Sequence, residues 1–136
     1  MSRAPTRAKG VTKMIIEQIR AIAKPGVVIP KPEAKSDFIV KGWGKRRGEE
    51  ALIYCVPNHR NPDRPNQKGI NVSEWEQAHS RVMSGEDFSR QWFEKNMTAC
   101  FEEGACNFTT IGSIFQLLGL VDYERGAYKL CRTCKT

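Results

Sequence analysis

Residues 37–56 read DFIVKGWGKRRGEEALIYCV. Two β-rich runs, DFIVKGW and EALIYCV, flank GKRRG, a glycine-bounded connection of hairpin length, so the segment predicts an antiparallel hairpin with cations at its tip. In the second run Leu52, Tyr54 and Val56 alternate with Ile53 and Cys55. Both faces of that strand are apolar, which places it in the middle of a sheet or under cover on both sides. Upstream, TKMIIEQIRAIAK carries Ile15, Ile19 and Ile22 on one stripe, with Ile16 and Ala23 beside them. That spacing predicts an amphipathic helix from about 13 to 24, capped by Thr12 and ended by Pro25 and Gly26. The prolines of VVIPKPEAK hold the connection between helix and hairpin extended.

Downstream, PNHRNPDRPNQKG (57–69) contains three prolines, three asparagines and no large apolar residue, so it reads as a surface loop and the boundary between two halves. SEWEQAHSRVMSG then predicts a helix with Ser73 and Glu76 as its capping box and Trp75, Ala78, Val82 and Met83 on its inner face. SRQWFEKNMTACFEEG predicts a second helix closing at Gly104, and TTIGSIFQLLG a third, ending at Gly119. LVDY, ERG and AYKL complete a short hairpin. The expected fold class is α+β: a small antiparallel sheet with an N-terminal helix, packed against a three-helix and hairpin half. Residues 1–11 read as a basic arm, 12–130 as one domain with a basic half (12–69) and a helical half (70–130), and 131–136 as a tail.

The turn at Gly85, the third helix TTIGSIFQLLGL and the hairpin DYERGAYKL together resemble the winged helix-turn-helix arrangement over residues 72–130. The resemblance implies that the third helix and the wing touch DNA, through Thr109, Thr110, Ser113 and Gln116, then Arg125 and Lys129. It equally allows the shape to serve as a packing scaffold or protein interface.

Charge is distributed unevenly. The chain of 136 residues carries a formal +7, yet residues 1–69 hold 15 Lys and Arg against 6 Asp and Glu, a net +9, while residues 70–136 hold 7 against 9. An anionic partner would therefore meet the first half. Lys41, Lys45, Arg46 and Arg47 surround the glycine-flanked turn, where backbone amides and guanidinium groups suit a phosphate, and Trp43 offers a face for stacking on a base. Arg60, Arg64 and Lys68 would extend the patch if the 57–69 loop folds alongside. These residues point first to a cytoplasmic module binding nucleic acid, DNA rather than RNA, by its backbone. That reading requires arginines free of carboxylates from their own chain. The same residues also read as a solvated hairpin tip, with Trp43 in the core and Glu49 and Glu50 offsetting the charge. In that case the protein is a non-catalytic interaction or accessory protein, possible homodimer included, with Trp75, Trp92, Phe93 and Phe115 as candidate contact residues.

Five cysteines at irregular spacing read as reduced thiols rather than a disulfide framework. Cys131 and Cys134 have half of a zinc pattern, but a closed site needs four ligands, and Cys55, Cys100, Cys106, His59 and His79 are the candidates to complete it. The expectation is no metal and no cofactor. Asp37 and Glu49 flank the hairpin and allow a third reading, a metal-dependent nuclease, although no lysine follows Glu49 at the spacing that chemistry uses. There is no phosphate loop, dinucleotide fingerprint, nucleophile elbow or HExxH. No apolar run is long enough to span a bilayer, and MSRAPTRAKG lacks the apolar core of a secretory signal.

Overall fold

The computed structural model describes residues 14–30 and 38–131. The basic arm, Thr12, Asp37 and Cys134 lie outside the described residues. The architecture is α+β, as expected. Helix α1 covers residues 14–22. Strands β1 (Val28–Ile29), β2 (Phe38–Arg46), β3 (Glu49–Val56) and β4 (Asn66–Asn71) then form an antiparallel sheet in chain order. β3 lies inside this sheet, the position its apolar sequence demands. β4 was not expected: NQKGIN pairs with β3 along its length, from Val56↔Asn66 to Ala51↔Asn71. Main-chain hydrogen bonds hold a strand of such poor β propensity, and its one large apolar residue, Ile70, falls on the inner face and is fully buried. The surface loop is therefore residues 57–65.

The β2–β3 turn has φ of 51° at Arg47 and 78° at Gly48, the left-handed pair of a two-residue hairpin. Gly48 adopts this freely, whereas Arg47 does so at a cost of roughly 1 kcal/mol, which its side-chain contacts must offset. A bulge between Val40 and Gly42 resets the side-chain alternation. Val40 and Trp43 consequently share the inner face with their partners Tyr54 and Leu52. On that face Phe38, Val40, Leu52, Tyr54 and Ile70 are buried, and Ile15, Ile16, Ile19 and Ala23 of α1 join them.

The second half comprises α2 (Val72–Met83), β5 (Phe88–Ser89), α3 (Arg90–Asn96), α4 (Thr98–Glu103), α5 (Asn107–Leu117), β6 (Val121–Glu124) and β7 (Ala127–Leu130). Its strands form a three-stranded sheet in the order β5-β7-β6. One continuous core joins both halves, running from Ile15 and Leu52 to Trp75, Phe88, Phe108, Phe115 and Tyr128. Among the described residues, no helix is long and apolar enough to cross a membrane.

Two local expectations are corrected. The helix expected over SRQWFEKNMTACFEEG is two helices, because the chain leaves helical geometry at Met97 (φ −120°, ψ 56°). No glycine or proline marks that break; Met97 is itself buried, so tertiary packing sets it. The capping box sits two residues earlier than Ser73 and Glu76. Asn71 Oδ1 accepts from Glu74 N at 3.1 Å, and Glu74 Oε1 accepts from Asn71 N at 3.0 Å. β4 passes directly into α2 at Asn71, so the last strand residue is also the cap.

His79 on α2 is buried, its ring centroid 6.1 Å from that of Phe115 and the two rings packed edge to face. Burial lowers its proton affinity, so the fold holds the neutral form. The folded pKa lies below the unfolded one of about 6.5, and the unfolded chain therefore binds the extra proton in the window between them. Stability is full above about pH 6.5 and declines as pH falls through that window. Urea unfolding at about pH 5 and pH 7.5 should show the loss, and His79→Gln should reduce it. The same pH dependence in the variant would reject this assignment.

Candidate functional site

The hairpin tip does not present free guanidinium groups. Arg47 Nη2 donates to Glu74 Oε1 at 2.5 Å, Arg47 Nη1 pairs with Glu103, and Arg46 Nε lies 3.5 Å from Glu103 Oε2. The carboxylates come from the first turn of α2 and the last turn of α4. Their side chains are only 11% and 17% exposed, and that of Arg47 is 27% exposed. Such shielded ion pairs are coupled more strongly than surface pairs. Glu103 Oε2 further accepts from Gly69 N at 2.7 Å, and its main-chain oxygen accepts from Lys68 Nζ at 2.9 Å. Lys68 is thus a β4 residue tied to the end of α4, rather than part of an open loop patch. A Cβ at Gly69 would overlap the Arg46 side chain, so a larger residue there would displace that arginine. Glu49 accepts from Ser73 N at 2.7 Å and from Ser73 Oγ at 3.0 Å, fastening the tip of the hairpin to α2.

Trp43 is half-buried against the core, and the Arg20 guanidinium lies 4.1 Å from its ring centroid. Arg20 is also paired with Glu50 at 2.5 Å. The indole face expected to stack on a base is covered by a cation from α1. Lys45 is exposed, cross-strand from Glu50, and Lys41 is exposed at the bulge.

Arg60 and Arg64 are exposed on the 57–65 loop. Asn58 organises that loop: its Oδ1 accepts from Arg60 N at 3.1 Å and Asn61 N at 3.3 Å, and its Nδ2 donates to Arg64 O at 2.9 Å. This loop leaves the Val56 end of β3, whereas Arg46 and Arg47 lie beyond the Glu49 end. The eight residues of β3 put about 23 Å between them. The structure therefore does not bring the tip and the loop together. His59 is exposed on the same loop.

The residues named on the third helix and wing also separate. Thr110 and Ser113 are fully buried, because α5 is packed on nearly every side. Thr109 is half-buried and accepts from Arg90 Nη2 at 3.4 Å, while Gln116 is exposed. Arg125 occupies the exposed β6–β7 turn with φ 51°. Lys129 lies 3.6 Å from both Asp87 and Glu124. Trp75, Phe93 and Phe115 are fully buried, and Trp92 is half-buried beneath Arg81, so none forms an open apolar contact surface.

Two polar groups inside the molecule, Tyr54 and Cys100, are held neutral. Tyr54 donates to Asn107 Oδ1 at 2.5 Å and lies 3.3 Å from Cys106 Sγ, and Asn107 Nδ2 donates to Cys100 O at 2.9 Å. Burial, followed by the neighbouring Cys106, pushes the Tyr54 hydroxyl well up. Burial, followed by the Glu74 carboxylate, pushes the Cys100 thiol up, which removes its nucleophilic form. Among the described residues, no group of three or more His, Cys, Asp or Glu stands together to hold a metal ion.

The feature that sequence reasoning missed is the outer face of the four-stranded sheet. Val28 pairs with Ile39, Ile39 with Cys55, and Cys55 with Gln67, so these side chains form one row opposite the core face. Val28 is 49% and Ile39 46% exposed, and Cys55 and neighbouring Ile53 are half-buried. Gly42 and Gly44 leave the adjoining surface low, with Ile53 lying over Gly44. The signal was present in Ile53 and Cys55, read as evidence that β3 is either central in its sheet or covered on both sides. No protein-family model, no curated protein and no solved structure matches this chain.

Proposed function

We propose that the protein is a non-catalytic binding module that engages another protein through the outer face of its four-stranded sheet. The observation that carries this reading is the row Val28–Ile39–Cys55, apolar across three paired strands, with Val28 and Ile39 about half exposed. An antiparallel sheet with one solvated face ordinarily alternates apolar inward and polar outward, and a contiguous apolar patch marks an interaction surface. The ion pairs of Arg46 and Arg47 point the same way, because they assign the tip's charge to internal fastening. Over residues 72–130, four helices precede the final hairpin, and β5 pairs with that hairpin's second strand. With Thr110 and Ser113 buried, that half serves best as scaffold.

A nucleic-acid reading, DNA before RNA, retains one specific support. Among the described residues, no carboxylate is paired with exposed Lys41, Lys45, Arg60 or Arg64. Gel-shift titration with short duplex DNA, single-stranded DNA and RNA at about 50 mM salt separates the two. No shift is expected. A shift that falls steeply with salt and is lost when Lys41, Lys45, Arg60 and Arg64 are replaced by glutamine would overturn the protein-binding reading.

A further inference from the structure

We infer that the partner of this sheet face presents an acidic surface around an apolar centre; this rests on the protein-binding reading above. The inference comes from what borders the row. Lys41, the bulged residue of β2, is exposed beside Gly42. Arg60 and Arg64 are exposed on the loop that leaves the Cys55–Val56 end of β3, and Asn58 fixes the main chain at both residues. Gln67, the next member of the row, is uncharged. Asp63 is the one acid in that loop, and Glu49, at the far end of β3, is occupied by Ser73. Among the described residues no carboxylate pairs with these cations, and an apolar centre with such a rim selects, by charge complementarity, an apolar patch rimmed by carboxylates.

The same rim decides against a second copy. An isologous pairing on this face would set Lys41, Arg60 and Arg64 of one chain against those of the other, a like-charge juxtaposition costing several kcal/mol. It also separates a protein from a nucleic acid. The row offers no aromatic ring for stacking, and its aliphatic groups gain nothing from phosphate. Specificity for a partner with both features arises because neither apolar contact nor charge is sufficient alone.

The test is selection of binders from a displayed random peptide library on the wild-type chain, followed by titration of recovered peptides by fluorescence anisotropy. Two variants are compared: Val28→Ser with Ile39→Ser, which removes the centre, and Arg60→Glu with Arg64→Glu, which reverses the rim on an exposed loop. Thermal unfolding verifies that each variant is folded. The expected result is enrichment of peptides combining Asp or Glu with large apolar residues, each variant binding them at least tenfold more weakly. Apolar peptides lacking acids, weakened only by the serine variant, would overturn the acidic-partner inference while leaving the protein-binding reading in place. Purely acidic peptides weakened only by the charge reversal would overturn both, and so would no enrichment. A dimer in light scattering, abolished by the serine variant, would likewise overturn the inference in favour of a second copy.

Discussion

Replacing Gly112 by alanine is expected to destabilise the protein by about 2 kcal/mol, even though the change favours helix at that position. Gly112 lies in the interior of α5, where alanine would ordinarily gain about 1 kcal/mol over glycine. A Cβ there, however, would fall inside the ring of Tyr128. Tyr128 is fully buried and packed against Phe88, Phe108 and Tyr123, with ring centroids 5.0 to 6.3 Å away. The ring cannot swing into solvent to make room, so α5 must move off the three-stranded sheet or the ring must leave its preferred rotamer. Urea denaturation of wild type and Gly112→Ala measures the loss. Pairing Gly112→Ala with Tyr128→Leu should recover part of it, since the smaller side chain vacates the volume. A Gly112→Ala variant more stable than wild type would show that the α5–β7 contact is looser than described.

The second large effect is expected at Arg47. Replacing it with methionine removes the only side chain that pairs with both Glu74 and Glu103 among the described residues, and leaves two shielded carboxylates facing each other. Losing one partner of a fully buried ion pair costs about 3–5 kcal/mol. Here the side chains retain partial solvent access and Arg46 stays beside Glu103, so about 2 kcal/mol is expected. Lys45→Met, two residues earlier on an exposed β2 side chain with no carboxylate partner among the described residues, should change stability by no more than about 0.5 kcal/mol. The contrast also tests function. If Arg47 were reserved for phosphate, its removal would leave stability unchanged and weaken polyanion binding. As a fastening residue, it should do the reverse. A double-mutant cycle between Arg47 and Glu103 in denaturant isolates their coupling, and a coupling near zero would reject the fastening role.

Much of the fold was legible because it follows from local pattern. The isoleucine stripe of α1, the paired β-rich runs around GKRRG, and the final hairpin around Glu124–Ala127 all appear where periodicity and turn residues put them. β4 was illegible because hydrophobic pattern carries little information in NQKGIN; a neighbouring strand with unpaired amides recruits it. The helix break at Met97 was hidden for a related reason, since tertiary packing rather than a glycine or proline produces it.

The candidate site was less legible still. Charge count identified the cations of the first half, but a count does not reveal which carboxylates fold against them. Glu74 and Glu103 lie 27 and 56 residues beyond Arg47 and belong to the half with net negative charge. The sequence by itself determined the α+β class, the interior position of β3 and the concentration of positive charge before residue 70, because backbone preference, side-chain periodicity and composition are local properties. Only the tertiary structure decided that two of those arginines face inward onto glutamates and that an apolar row faces outward. Both outcomes depend on which distant elements come within a few ångströms of each other, and on which sheet face receives a covering layer.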